Sequence, residues 1–105
     1  MEIKYTFLGE ELNAIMKGEL DEYTASYVRM SLDTLLKDMD CISSPKLVLD
    51  FAGVSFMDST GIGVLLGRYN KFRKNNVSIF IRNPQGHVDR ILKMTGIYEI
   101  MPKIS

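Results

Sequence analysis

Apolar and polar residues alternate from the start of the chain: Ile3, Tyr5 and Phe7 share one side, Glu2, Lys4 and Thr6 the other. After Gly9-Glu10, a second run places Leu12, Ala14 and Met16 together. A period of two on both sides of a glycine turn predicts a hairpin with one face buried. The period then lengthens. Ala25, Val28, Leu32, Leu35, Leu36 and Met39 recur at helical spacing behind Asp21, a candidate N-cap. This helix is expected to end between Asp40 and Ser44, because Pro45 cannot continue it.

Leu47-Val48-Leu49 is short and wholly apolar, the pattern of a central strand covered on both faces. A second helix is expected from Ser59 or Thr60. Its core stripe would be Ile62, Leu65, Leu66, Tyr69 and Phe72, leaving Val64, Arg68, Lys71 and Lys74 outward. Val77 to Ile81 reads as a further strand. Asn83-Pro84 reads as an N-cap and first-turn proline, ahead of a third apolar stripe of Val88, Ile91 and Leu92. Gly96 suits a helix C-cap, and Ile97 to Ile104 allows a last short strand. The resulting order, β-β-α-β-α-β-α with a possible terminal β, predicts an α/β fold. A small mixed sheet would begin with the hairpin, continue by parallel crossovers and be packed with helices. No repeat or linker divides residues 1–105, so a single domain is expected.

An apolar content of 46% in 105 residues is enough for one core. Charged residues interrupt every apolar run, and the N-terminus lacks the basic-then-apolar order of a leader. No membrane contact and a cytoplasmic location are the expectation. The single Cys41 cannot form an internal disulfide and reads as an unreactive thiol. Met30 and Met94 read as core filler. The net charge is zero, but it is segregated. Residues 1–58 carry five basic and eleven acidic side chains, net −6; residues 59–105 carry eight and two, net +6. No groove-reading motif accompanies the basic half, so it points to partner steering and not to direct nucleic-acid binding.

The chemistry concentrates at Asp58-Ser59-Thr60-Gly61, where an apolar run meets the start of a helix. Unpaired N–H groups and the helix dipole favour negative charge there, which suits a serine that is to be phosphorylated or an anion that is to be bound. A serine nucleophile would need a base in reach. The only histidine, His87, is expected on the solvent side of a later helix, and Met57 stands where a nucleophile elbow needs glycine. Gly61-Ile62-Gly63-Val64-Leu65-Leu66-Gly67 meets neither the dinucleotide fingerprint nor the P-loop pattern. Its glycines are better explained by a sharp turn at Gly61 and Gly63 and close packing at Gly67. No His/Cys cluster suggests a metal, and no cofactor is expected.

The segment from Phe56 to Tyr69, with Asp58-Ser59-Thr60-Gly61-Ile62-Gly63 at its heart, resembles the phosphorylation-site motif of the bacterial anti-sigma-factor antagonists, members of the STAS domain family. Gly18-Glu19-Leu20-Asp21 is similar to the family's turn before its first helix, and Arg90 to Ile97 to its last helix and following glycine. Phe56-Met57 and Gly67-Arg68-Tyr69 look closest to the sporulation-type members; the Ser-Thr pair also suits the stress-response members.

The resemblance implies a non-enzymatic protein. Unphosphorylated, it would bind an anti-sigma factor and free a sigma factor. That anti-sigma factor would itself be a serine kinase, ending the complex by phosphorylating Ser59, and a serine phosphatase would restore it. Thr60 is the alternative acceptor. Asp58 would cap the helix or place Ser59 for the kinase. The partner surface is expected to join Asp21, Asp58, Ser59, Thr60 and Gly61 to an outward face of Val64, Arg68 and Lys71. A STAS scaffold of a stress-signalling pathway and a nucleotide-binding protein are the alternatives.

Overall fold

The computed structural model describes residues 1–40 and 42–105; the expectation for Cys41 lies outside the described residues. Strand β1 (Glu2–Leu8) turns into β2 (Glu11–Leu20), followed by α1 (Ala25–Met39), β3 (Lys46–Met57), α2 (Ser59–Lys74) and β4 (Ser78–Arg82). The chain ends with α3 (Gly86–Met94), the single turn α4 (Ile97–Ile100) and β5 (Lys103–Ile104). The sheet order is β1-β2-β3-β4-β5, antiparallel at β1–β2 and parallel at the other three pairings. This is the mixed α/β architecture expected from the pattern. Among the described residues, no helix is long and apolar enough to cross a membrane.

Register explains which strand positions are apolar. Leu12, Leu47 and Ile79 align across the sheet, as do Ala14, Leu49 and Ile81, and these rows are buried in one core cluster with Val28, Leu65, Val88 and Ile97 of the four helices. Each parallel step moves to the next strand in the same direction, so right-handed crossovers bring all the helices to one face. On the reverse face Asn13, Val48 and Phe80 form a row. Val48 is fully buried there, while Arg82 Nη1 donates to Asn13 Oδ1 at 2.9 Å and Asn13 Nδ2 donates to Glu11 Oε2 at 2.9 Å.

Several local expectations are corrected. Ile3, Tyr5 and Phe7 do share the core side of the sheet, but Tyr5 and Phe7 remain about half exposed because β1 is an edge strand. Thr24, not Asp21, is the N-cap position of α1, and Gln85, not Asn83, that of α3. The strand seen as Leu47-Val48-Leu49 continues to Met57. The expected last strand is divided into α4 and the two-residue β5. Met30 and Met94 are among the most exposed large apolar side chains, not core filler. A Cβ at Gly63 or Gly67 would meet nothing within 4 Å, so close packing does not explain Gly67.

The C-terminal elements are tied by Asp89. Its carboxylate accepts from Tyr98 Oη at 2.6 Å and Lys103 Nζ at 3.1 Å, and pairs with Lys93 Nζ at 3.3 Å. The Tyr98 hydroxyl and the two ammonium groups hold the Asp89 carboxyl down from 3.8 to about 2, and burial together with Asp89 pushes the Tyr98 phenol upward. A lowered carboxylate value contributes stability above pH 3.8 that is lost as pH falls towards about 2. Across that window the melting temperature of wild type should fall more steeply than that of Asp89→Asn. Parallel melting curves for the two proteins would show no such closing gap if the cluster contributed nothing.

Candidate functional site

Three chain segments converge where β3 hands over to α2. Asp58 is extended (φ −121°, ψ −172°), and its Oδ1 accepts from the Gly61 N–H at 3.0 Å while its carbonyl accepts from the Ile62 N–H at 3.1 Å. Asp58 is thus a true N-cap, as one of its two expected roles required. Ser59 follows as the first helical residue and is exposed; Thr60 is half-buried. The N–H groups of Ser59 and Thr60 have no acceptor within the helix, which leaves a positive mouth around the Ser59 hydroxyl.

The second segment is the end of β2. The Leu20 carbonyl accepts from the Asp58 N–H at 3.4 Å, and Leu20 opposes Met57 in register. The next residue, Asp21, is 7% exposed, and its Oδ1 accepts from the N–H groups of Tyr23 and Thr24 at 3.0 and 3.1 Å. Thr24 Oγ1 accepts from the Asp21 N–H and donates to the Glu19 carbonyl, locking the turn into α1. Asp21 therefore lies beside the mouth, but its carboxylate shapes a turn.

The third segment was not expected. His87, in the first turn of α3, is exposed as foreseen, yet its ring stacks on Phe56 with centroids 5.6 Å apart and planes 23° apart. Its Nε2 lies 3.3 Å from the Met57 carbonyl, which can only accept, so the bond uses the Nε2 proton. Among the described residues, no hydrogen bond joins His87 to Ser59. The two partners are thirty positions apart, and only the parallel β3–β4 crossover brings them together. No local spacing signals that contact.

The outward face assigned to α2 is corrected. Val64 is 1% exposed and Arg68 only 9%, whereas Leu66, placed in the core stripe, is exposed. The buried stripe runs through Gly61, Val64, Leu65, Arg68 and Phe72, because α2 is covered by α1 as well as by the sheet. Arg68 Nη1 reaches α1, donating to Asp33 Oδ2 at 2.8 Å and lying 3.4 Å from the Arg29 carbonyl. Lys71, exposed as expected, pairs with the same Asp33 oxygen at 3.0 Å.

Without Arg68, Asp33 would keep only the exposed Lys71 as its cationic partner, and the buried link between α1 and α2 would be lost. Arg68→Glu would also set two carboxylates together under a helix interface. It is expected to cost about 3 kcal/mol or more in urea denaturation, where a surface change would stay within about 0.5 kcal/mol. A midpoint shift of surface size would mean that Arg68 does not join α1 to α2 in solution.

The STAS domain family model matches residues 15–105. The chain is 36% identical over 87 residues to the anti-sigma F factor antagonist of Paenibacillus polymyxa, covering 83% of this chain and 72% of that protein. It is 27% identical over 92 residues to the anti-sigma-B factor antagonist of Listeria monocytogenes, covering 88% and 77%. The unphosphorylated form of the anti-sigma factor antagonist SpoIIAA shares the fold with a TM-score of 0.77, at 22% identity over 99% of this chain and 89% of that one.

Proposed function

Because this chain belongs to the STAS domain family, we propose that it is an anti-sigma factor antagonist whose binding surface is built around the mouth of α2. In this reading the unphosphorylated protein binds an anti-sigma factor and releases a sigma factor, as the names of its relatives suggest by analogy. The anti-sigma factor would also be a serine kinase that modifies Ser59, and a serine phosphatase would reverse the step. The protein itself would act by binding and not by catalysis.

The observation that carries the proposal is the pairing of an exposed Ser59 with a fully formed cap. Asp58 fixes the start of α2 independently of the Ser59 side chain. A modification of the hydroxyl therefore need not disturb the fold. Phosphate adds about −1.5 to −2 charges at pH 7. Next to a helix N-terminus such charge is mildly stabilising, by about 0.3–1 kcal/mol. The same dianion beside Asp58 would have to be desolvated by a docking partner, at a cost the interface does not recover without a new cation.

With Val64, Arg68 and Gly61 buried, the partner surface is proposed to comprise Ser59, Thr60 and the exposed rim of α2, with Asp58 and Asp21 as supporting residues and Lys71 at its far end. Incubation with the cognate kinase should place the phosphate on Ser59 alone, and Ser59→Ala should take up none. Label mapped to Thr60, or full labelling of Ser59→Ala, would overturn the assignment.

A further inference from the structure

We propose that the free edge of β1 is a dimerisation surface that pairs with β1 of a second copy of this chain, antiparallel and centred on Tyr5. The loop Gly9-Glu10 closes the hairpin between Leu8 and Glu11, and Gly9 takes φ 65°, as the first central residue of a II′ turn does. A two-residue loop makes Leu8–Glu11 a hydrogen-bonded pair. The β1–β2 register runs without a shift from there to Glu2–Lys17. Thr6, Lys4 and Glu2 therefore bond to β2 like Leu8, while Ile3, Tyr5 and Phe7 turn their N–H and C=O groups to the open side. β1 is an edge of the sheet with no proline and no bulge, and its two charged residues, Glu2 and Lys4, alternate with Ile3 and Tyr5 and so lie on the face away from the helices.

This strand is complementary to itself. Antiparallel pairing with Tyr5 opposite Tyr5 sets Ile3 opposite Phe7 of the other copy, and Lys4 opposite Thr6. All three outward-pointing residues then face each other, which permits six backbone hydrogen bonds. No like charges are directly opposed, and a shift that sets Ile3 opposite Tyr5 would bring Lys4 against Lys4. The side chains agree with the backbone. Ile3 and Tyr5 line a groove of about 220 Å³ with Tyr27, Met30, Ser31 and Thr34 of α1. None of these six is charged, while Tyr5, Tyr27 and Met30 are 50%, 51% and 71% exposed. An uncharged, half-exposed aromatic strip next to an unpaired strand suits another copy of the same strip better than an acidic or basic partner.

The two-fold axis would stand normal to the sheet. It gives a continuous ten-stranded sheet with the helices of both copies on one face. The parallel strands of the two copies then run in opposite directions, so the two Ser59 mouths open at opposite ends. Such a dimer presents two partner sites at once.

Sedimentation over a dilution series from micromolar to sub-millimolar should show a reversible dimer of the full chain. Because Tyr5 meets itself on the axis, Tyr5→Lys and Tyr5→Glu should each raise the dissociation constant at least about tenfold, and an equimolar mixture of the two should restore dimerisation. Circular dichroism checks that both variants fold. Amide exchange on wild type needs no variant: the Ile3, Tyr5 and Phe7 amides should become protected as concentration rises, while Lys4 and Thr6 do not change. A monomer at every concentration, a dimer indifferent to Tyr5→Lys, or a Tyr5 amide exchanging equally fast at both extremes would each overturn the proposal.

Discussion

Ser59→Asp is expected to weaken binding to the anti-sigma factor by roughly 100-fold, about 2.7 kcal/mol, while Ser59→Ala stays within about threefold of wild type. Ser59 is exposed at the first position of α2, and the cap is made by Asp58 Oδ1 to the Gly61 N–H, so neither substitution removes a bond that holds the fold. The new carboxylate interacts favourably with the helix N-terminus and stays hydrated in the free protein. Only a docked partner must strip that hydration, next to the existing charge of Asp58. A binding titration with circular dichroism separates the effects. An Asp variant that binds like wild type removes Ser59 from the interface, and one that unfolds removes the local switch.

Gly61→Ala should produce the largest loss of stability of any single methyl addition near the site, about 3 kcal/mol or more. A Cβ at Gly61 would sit 2.5 Å from the Leu20 carbonyl oxygen and 2.9 Å from Met57 Cγ. Met57 can rotate, but Leu20 cannot, since the same carbonyl holds the Asp58 N–H and Leu20 is locked in register with Met57. The helix must therefore back away from β2, stretching the contact that assembles the mouth. Gly63→Ala is the control, because its Cβ meets nothing and helix propensity favours it by about 0.5–1 kcal/mol. Urea midpoints for the two variants should move in opposite directions. A Gly61→Ala protein as stable as wild type would show that the β2 end is not packed on α2 as described.

The alternation at the start, the helical periods and the Asp-Ser-Thr-Gly handover were sufficient to predict a hairpin followed by parallel crossovers, and to place Ser59 at a helix mouth. These are local properties: period, turn chemistry and capping depend on residues within a few positions of one another. Gly61 was singled out for the right place but the wrong reason: Gly61 and Gly63 lie inside α2 without a positive φ, so no sharp turn calls for glycine at either. What Gly61 accommodates is the close approach of the Leu20 carbonyl, which belongs to another strand and leaves no local signal.

Properties set by a neighbouring element emerged only on folding. Hydrophobic spacing finds a face of α2 but not how many elements cover it. With α1 on one flank, Val64 is buried, Arg68 is drawn inward to Asp33, and the apolar Leu66 is left in solvent. The same holds for Tyr5 and Phe7, whose pattern is that of a covered strand but whose position is an edge. His87 reaches the Met57 carbonyl through a parallel crossover that no spacing of thirty residues could announce. Element types, their order and the capped helix start at Ser59 follow from forces that act along the chain. Burial, pairing and edges act between elements, and they existed only once the sheet had placed its helices.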